Sequence, residues 1–498
     1  MKTLQLAKTK TQEKLWEKLQ PVNRTLASDT YKRTMSGSST LFAENFTCYN
    51  LAARKPLREE GANGRLLMAG LEKTLYSFFL NPITPEEVAE GQTFATRAQV
   101  KKFPTKAWEA TLANEGYLPI DIWALPGGQT LLVKDGKYVP IMSVEGTGAL
   151  VSHLEAHFEQ TFAPIIQATK ARLFKEALGG SGFAEFGLRS DQNTNNHTTL
   201  MLALYVGGGF TYTSNDQTAL IFPEFKDIGT IGHEDIMAYQ RKGISLEEAQ
   251  RQAFEDFVEA NQRSALLPDV INTIHSGLPA ILALVKRYQG TEKIIMPRFD
   301  SGNVPEQCIT WKKMTLEAGI LETKMVVEDG YNPTKARETR ERYAAAGYNP
   351  DDIIVGAGGY FQEGCSRDAI SLAYKRSATR HASGLEGSIK FSDSPGKESI
   401  PGQIRIYERG NTLIVAQAGE TIEGTLLSQK VVSNGRIVYN ETLQTQHQRA
   451  LDTWNKYSTI EYSPQTQAMI DTRTQERTLL LAPYLQDTIS VQNTTRRN

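Results

Sequence analysis

Three short apolar segments that recur about every thirty residues constrain the fold of this chain most. They begin at Lys293, Thr323 and Asp352, and each ends in glycine or polar residues. Helical patterns fill the two intervals, at 305–318 and 333–346. This spacing is typical of βα units on a parallel sheet or barrel, whose strands are covered on both faces.

A fourth segment of the same kind, 182–187, precedes these three. The flanking sequence instead alternates apolar and polar residues between turn signals, which predicts antiparallel strands. The strand-like segments of the flanks are 118–123, 129–134, 138–143, 388–392, 403–407, 412–416 and 436–439. We therefore predict an α/β protein with an irregular parallel α/β barrel at 166–399. Residues 1–165, completed by 400–498, form a second α+β domain.

Composition excludes several broad classes of protein. The 498 residues can bury a large core, and 55 basic against 56 acidic residues leave a net charge of -1. That balance favours neither nucleic-acid nor membrane binding. The three cysteines lie far apart, no apolar run reaches membrane-spanning length, and residues 1–20 lack an apolar signal core. We expect a cytoplasmic protein in a reducing compartment.

Polar residues and glycines follow the predicted strands, at the edge where parallel α/β folds place their sites. These residues are Glu185, Arg298, Asp300, Asp329, Gly356, Gly358 and Gly359. Arg298 and Asp300 are two apart and share a strand face. They either pair with each other or bind a phosphate and a sugar hydroxyl, respectively.

The glycine-rich turn 356–359 also has two interpretations. Bare backbone amides can cradle an anion, and a tight βα connection uses the same glycines. Arg367 falls in the next turn and favours phosphate binding.

His233 follows a glycine pair and precedes Glu234, Asp235 and a helical pattern. Carboxylates suit the first turn of a helix, and an imidazole there can hold a charged group near neutral pH. On these residues alone, a helix start with an incidental histidine is the simpler interpretation.

Two apparent motifs fail on their spacing. Residues 390–397 resemble a phosphate loop, but Glu398 stands where Ser or Thr is required. His153 and His157 share a helix face, but the residue directly after His153 is Leu154, where zinc proteases have Glu. We expect these histidines on a helix surface or at a subunit contact.

Read together, several stretches resemble the nicotinate/nicotinamide phosphoribosyltransferase family, the type II phosphoribosyltransferases. Matched in family order, they are Ser28–Lys32, Val144–Gly146 with Ala168–Arg172, Glu185–Arg189, Thr213–Asn215, Gly229–Glu234, Arg298–Gly302, and Lys390 with Pro395–Lys397. Several motifs in the right order are more specific than any one of them.

The resemblance implies that nicotinate and phosphoribosyl pyrophosphate give nicotinate mononucleotide and pyrophosphate, with Mg²⁺ and with ATP as co-substrate. Such chemistry needs positioning and electrostatics more than covalent catalysis. Phe186 would stack on the pyridine ring, and Tyr31 would stack from the neighbouring subunit of a homodimer with shared active sites. His233 matches the histidine that ATP phosphorylates in nicotinate enzymes.

The remaining implied roles concern phosphates, carboxylates and hydroxyls. Arg172, Arg189 and Arg298 would hold phosphates and the substrate carboxylate. Asp300 and Asp329 would hold ribose hydroxyls or the metal. Gly358, Gly359 and Arg367 would cradle the 5′-phosphate.

Ser214 decides which pyridine we predict. Relatives that use nicotinamide typically have Asp at this position, and a carboxylate there would repel nicotinate. Ser214 therefore favours nicotinate, whereas the turn 356–359 and Asp300–Asn303 look more like nicotinamide enzymes.

A non-catalytic nucleotide-binding regulator is a further alternative. The family's hydroxyl residue after Asp269 is here Val270, which puts one substrate contact in doubt.

Overall fold

The structure is a computed structural model that describes residues 9–97, 103–191, 194–392 and 398–495. Contacts divide the chain into two compact units. Unit 1 comprises residues up to Ile166 and from Cys365 onward, and unit 2 comprises Gln167–Gly364. Within the described ranges, no helix combines the length and apolar character needed to cross a membrane.

Unit 2 is built on one sheet of seven parallel strands. In chain order they are β1 Gly182–Glu185, β2 Tyr212–Thr213, β3 Lys226–Asp227, β4 Arg263–Leu266, β5 Ile294–Phe299, β6 Met325–Val327 and β7 Ile353–Ala357. Their order in the sheet is β4-β5-β6-β7-β1-β2-β3. The backbone N–H of Ile231, in the loop after β3, donates to the carbonyl of Ala265 in β4 (3.3 Å). The two edges of the sheet therefore approach each other, and the sheet curls.

Helices connect these strands. They are Phe162–Leu178, which leads into unit 2, Thr194–Gly208, Asp216–Ile221, His233–Ala238, Leu246–Ala260, Leu278–Arg287, Val304–Glu317, Pro333–Ala345 and Gly359–Gln362. A π-helical turn, Thr273–Gly277, precedes Leu278. The helix Pro333–Ala345 shows how the sequence specifies a start. Proline opens it, and the Asn332 side chain accepts from the N–H of Lys335 (2.9 Å).

Unit 1 contains three further sheets. The largest is antiparallel and has the order Gly384–Gly387, Ala373–His381, Phe46–Ala52, Pro140–Thr147, Ile120–Ala124, Gln429–Ser433 and Arg436–Ile437. A four-stranded sheet has the order Thr425–Leu426, Ile404–Arg409, Thr412–Gln417 and Thr459–Tyr462. A three-stranded sheet has the order Arg65–Leu67, Thr130–Lys134 and Lys137–Tyr138.

The helices of unit 1 surround these sheets. They are Lys10–Lys18, Thr30–Ser38, Thr40–Glu44, Leu71–Phe79, Pro85–Arg97, Thr105–Ala113, Gly148–His153, Glu155–Glu159, Leu443–Thr453 and Pro464–Thr495. Aliphatic side chains make up most of the core, and the aromatic side chains of Trp108, Phe158 and Tyr374 within it are almost fully buried. Burying each such side chain contributes roughly 1.5–3 kcal/mol to folding.

The predicted fold class is confirmed, because a parallel α/β unit accompanies separate, mainly antiparallel sheets. We predicted that the barrel domain ends at residue 399. In the structure, unit 2 ends at Gly364, and residues 365–399 belong to unit 1. The reason is the strand Ala373–His381, which pairs with Phe46–Ala52.

Two local predictions need correction. We expected a strand at 388–392, but these residues form none. The nearest strand is Gly384–Gly387, which ends just before them. His153 is buried, not on a surface, and its Nε2 lies 2.8 Å from the carbonyl of Arg24. The motif residues Pro395–Lys397 lie outside the described residues.

Candidate functional site

Phe186 and Ser214 lie at the ends of adjacent parallel strands. The N–H of Ser214 donates to the Glu185 carbonyl (3.0 Å), and the N–H of Phe186 donates to the Ala357 carbonyl (3.1 Å). The turn after β1 is thus bonded to β2 on one side and to β7 on the other. Phe186 and Ser214 are both half-buried, so an aromatic face and a hydroxyl share one edge of the sheet.

Arg298 in β5 points into a set of acceptors. Its guanidinium donates to the Thr230 hydroxyl and to the Ile231 carbonyl (3.3 Å). Its Nε lies 3.4 Å from Glu328 Oε2, and a terminal nitrogen lies 3.9 Å from Asp300. The Arg298 Nε and Glu328 Oε1 atoms are buried without a hydrogen-bond partner among the described residues. The Glu328 carboxylate therefore lies against the Nε edge of the Arg298 guanidinium, at the outer limit of hydrogen-bond distance.

Glu328 is a strand-end residue that we did not select from the sequence, although it directly precedes Asp329. Burial raises the pKa of Glu328; Asp300 raises it further, while Arg298 and Arg189 lower it. A Cβ atom at Gly356 would lie 2.6 Å from Glu328 Cγ and 3.0 Å from Phe186 Cδ2. Glycine at 356 therefore lets Glu328 and Phe186 approach the same point.

His233 is the first residue of the helix His233–Ala238, and its side chain is 42% exposed. Its Nε2 lies 2.9 Å from Asp269 Oδ1, and the Ser301 hydroxyl donates to Asp269 Oδ2 (2.6 Å). Burial tends to raise the pKa of Asp269, but the hydrogen bonds from Ser301 and His233 lower it below its ordinary value. The carboxylate thus orients the imidazole and leaves Nδ1 as the nitrogen for a nucleophilic role.

Asp329 lies two residues after the end of β6, in a strained conformation. Its φ of 80° lies in the left-handed region, which residues other than glycine rarely adopt. The ammonium of Lys335 lies 3.1 Å from its Oδ2 and also donates to its carbonyl. Strain of this kind concentrates at functional positions.

The two glycines of the predicted phosphate cradle differ in their surroundings. A Cβ at Gly358 would overlap the Cα of Gly187, so the two backbones are in direct contact. Among the described residues, a Cβ at Gly359 would meet only the Ser190 hydroxyl, at 3.6 Å. Gly358 therefore has a packing reason to be glycine, and the space beside Gly359 is open.

The other two arginines that we predicted for the site, Arg189 and Arg172, differ in exposure. Arg189 is exposed, yet it lies close enough to Glu328 to lower its pKa. Arg172 lies in the helix Phe162–Leu178 and pairs with Glu176 of the same helix (3.4 Å). Its Nε is buried without a hydrogen-bond partner in the described part of the chain.

Tyr31 and Arg367 belong to unit 1, where they line one pocket of about 390 Å³. The Tyr31 hydroxyl donates to Glu155 Oε2 (2.7 Å), and Lys375 donates to Glu155 Oε1 (3.0 Å). Arg367 lies 3.7 Å from Glu159. Burial, followed by the bond to Glu155, raises the pKa of Tyr31. The Tyr31 phenol therefore stays protonated, and it shares the Glu155 carboxylate with the ammonium group of Lys375.

Comparison with known proteins gives one relative in sequence and several similar folds. No model of a protein family matches the chain. The nicotinate phosphoribosyltransferase of Bacillus subtilis (strain 168) is 25% identical over 301 residues, which cover 59% of this chain and 57% of that protein. The match thus spans little more than half the length of this relative.

Two solved structures share the fold. Human nicotinic acid phosphoribosyltransferase has a TM-score of 0.66 at 16% identity, over 90% of this chain and 100% of that one. Nicotinate-nucleotide pyrophosphorylase from Pyrococcus furiosus has a TM-score of 0.59 at 16% identity, over 91% and 98%. The predicted resemblance is therefore confirmed: the chain is similar in sequence to a nicotinate phosphoribosyltransferase and has the fold of the human nicotinic acid enzyme.

Proposed function

We propose that this protein is a nicotinate phosphoribosyltransferase of NAD salvage. It would condense nicotinate with phosphoribosyl pyrophosphate to nicotinate mononucleotide and pyrophosphate, coupled to ATP hydrolysis. The observation that carries this proposal is the common strand-end position of Phe186, Ser214 and Arg298. The similarity to the Bacillus subtilis enzyme supports it.

The site residues have distinct roles in this proposal. The Phe186 ring stacks on the pyridine, and the neutral Ser214 hydroxyl accommodates the nicotinate carboxylate without repulsion. Arg298 and Arg189 supply positive charge to the carboxylate and the phosphates. Asp300 accepts from ribose hydroxyls and stabilises the positive charge that develops on the sugar ring.

His233 is the proposed link to ATP. Asp269 holds its Nε2, so the lone pair on Nδ1 attacks the γ-phosphorus of ATP and ADP leaves. A phosphorylated imidazole so close to β5 adds negative charge near Arg298. ATP hydrolysis could in this way change how Arg298 holds the second substrate.

Asp300 and Asp329 are the residues that would hold Mg²⁺. Within the described ranges, no group of three acidic, histidine or cysteine side chains forms a metal site. Mg²⁺ commonly uses one or two carboxylates together with substrate phosphates, so the two aspartates fit this mode. The ion would neutralise the charge of the leaving pyrophosphate.

We also propose a homodimer in which the unit 1 pocket completes the active site of the neighbouring subunit. The 49% exposure of Tyr31, beside Arg367 and Lys375, supports this proposal. Mixing inactive Tyr31→Ala and His233→Ala chains should restore activity if subunits share sites. No complementation in a mixed dimer would contradict the proposal.

A cytoplasmic location is proposed because the buried thiols of Cys48 and Cys308 are free, which suits a reducing compartment.

The decisive experiment measures product from phosphoribosyl pyrophosphate with nicotinate or nicotinamide, each with and without ATP. Nicotinate turnover stimulated by ATP would support the proposal. A preference for nicotinamide would contradict it and would be explained by Glu328, a carboxyl group close to Phe186. No turnover with either pyridine would favour a nucleotide-binding regulator.

A further inference from the structure

A buried charged cluster lies next to the turn that carries Phe186. It consists of Glu185, Asp191 and His197, whose side chains are at most 1% exposed. His197 Nε2 lies 3.0 Å from Glu185 Oε2, and its Nδ1 lies 2.6 Å from Asp191 Oδ2. Buried charges persist only where each is paired and hydrogen-bonded, so the position of one side chain constrains the others.

His197 donates to both carboxylates. Burial tends to lower the pKa of His197, but the hydrogen bonds to Asp191 and Glu185 raise it to about 9. An imidazolium carries a proton on each nitrogen and can therefore satisfy two acceptors at once. A neutral amide side chain cannot replace it in both contacts.

The cluster anchors both ends of the turn after β1. The second oxygen of Glu185 accepts from the N–H of Gly187, at the start of the turn. Asp191 lies at its end. One imidazole thus ties together the two ends of the segment that holds Phe186 and Arg189.

The same cluster holds the end of β2. Thr213 Oγ1 lies 3.2 Å from His197 Nε2 and 3.4 Å from Glu185 Oε2. It also accepts from the N–H of Asn215 (3.1 Å), while the N–H of Ser214 donates to the Glu185 carbonyl (3.0 Å). The backbone on both sides of Ser214 is therefore bonded to the cluster.

A third connection reaches the glycine-rich turn. The other oxygen of Asp191 accepts from Gln362, whose own side-chain oxygen accepts from Gln167 (3.2 Å). Gln362 ends the helix that begins at Gly359. The ends of β1 and β2 thus meet at one buried imidazole, and the helix after β7 is linked to it through Asp191.

We propose that His197 is a positioning residue of the pyridine pocket, which sets the distance between the Phe186 ring and the Ser214 hydroxyl. This inference rests on the proposed function, since it assigns those two groups to the pyridine. His197 itself does not touch the substrate. Its contribution is to keep an aromatic face and a discriminating hydroxyl at a fixed separation.

His197→Gln tests this inference, because the amide can donate to only one of the two carboxylates. We expect the KM for nicotinate to rise about tenfold or more and the preference over nicotinamide to fall, as for a loss of substrate positioning. Phosphorylation of His233 by ATP does not use the pyridine pocket and should change less than about twofold.

Two further variants separate positioning from simple loss of stability. Adding Asp191→Asn to His197→Gln removes the unpaired carboxylate and supplies an N–H for the new amide oxygen, so the KM for nicotinate should recover at least partly. His153→Gln removes another buried histidine, whose described contacts are the Arg24 carbonyl and the rings of Phe78 and Trp108, all in unit 1. This control variant should have the wild-type KM for nicotinate and the wild-type KM for nicotinamide.

The outcomes distinguish the inference from the proposed function. If the wild-type protein does not use either pyridine, the proposed function fails and this inference fails with it. If the wild type turns over and His197→Gln has an unchanged KM for nicotinate, only the inference is overturned. Equal losses of nicotinate binding and of His233 phosphorylation would indicate a merely structural role and would also overturn it.

Discussion

His233 Nε2 lies 2.9 Å from Asp269 Oδ1, and Asp269 is fixed in turn by a hydrogen bond of 2.6 Å from Ser301. The chain of contacts joins the loop after β3 to the loops after β4 and β5. These contacts fix the orientation of the partly exposed His233 ring and leave its Nδ1 as the nitrogen that can react. The simpler interpretation of this histidine, as incidental to a helix start, does not account for such an arrangement.

We therefore expect Asp269→Asn to impair phosphorylation of His233. A hydrogen bond to a charged group contributes about 1.5–3 kcal/mol, which corresponds to a loss of about 10- to 100-fold in the rate of phosphoryl transfer. Acid-labile incorporation of the γ-phosphate of labelled ATP measures this rate. Ser301→Ala keeps the carboxylate and should have a smaller effect. An unchanged rate in Asp269→Asn would contradict the orienting role.

Ser214→Asp should shift the pyridine preference towards nicotinamide. A carboxylate at the end of β2 would repel the nicotinate carboxylate and accept from the amide of nicotinamide. We expect the ratio of kcat/KM values to change by about 10- to 100-fold, as for a buried charge left unpaired. Ser214→Ala is the matched control, since it removes the hydroxyl without adding charge. An unchanged ratio in Ser214→Asp would mean that Ser214 does not face the discriminating group.

Sequence reasoning located the strands that have long apolar runs and missed those that do not. β5, β6 and β7 each contain three apolar residues in succession, and helical patterns separate them in the sequence, whereas β2 and β3 are only two residues long. Such short strands are fixed by their neighbours and have almost no periodicity of their own. The strand Ala373–His381 was missed for a related reason, since its partner Phe46–Ala52 is more than three hundred residues away.

The site shows the same division between local and distant information. Motif order selected His233, Arg298 and Phe186, because their neighbours in sequence carry a signal. Glu328 and His197 depend on partners from other strands, and no short pattern in their own surroundings reports those contacts. Folding of the sheet brings Glu328 close to Phe186 and brings His197 into contact with Glu185.

Gly358→Ala should destabilise unit 2 more than Gly359→Ala. The added methyl group at 358 would overlap the backbone of Gly187, which cannot move without shifting the turn that carries Phe186. We expect a loss of about 1–3 kcal/mol in the free energy of unfolding, typical of overpacking. At 359 the nearest atom in the part of the chain that the structure describes is the Ser190 hydroxyl at 3.6 Å, so the loss should stay within about 0.5 kcal/mol. Urea unfolding of both variants gives the comparison, and equal losses would contradict the packing role of Gly358.

The charge on His197 should make stability depend on pH in a defined direction. The partners that face it are the carboxylates of Glu185 and Asp191, which raise its pKa to about 9 in the folded protein, from about 6.5 in an unfolded chain. A raised folded-state pKa contributes stability that is fully present below about pH 6.5 and is lost as the pH rises through about 9.

This contribution can be isolated by comparing variants. The difference in unfolding free energy between the wild type and His197→Gln should shrink by about 2–3 kcal/mol between roughly pH 6 and pH 10. His153→Gln is the control, because burial lowers the pKa of His153 to about 4 and this ring stays neutral throughout the range. The histidine of the unfolded chain still loses its proton near pH 6.5, so the difference between His153→Gln and the wild type should change by less than about 1 kcal/mol, and in the opposite direction. Urea unfolding at both pH values measures the two differences, and a constant gap for His197→Gln would show that the buried imidazole is not held in its charged form.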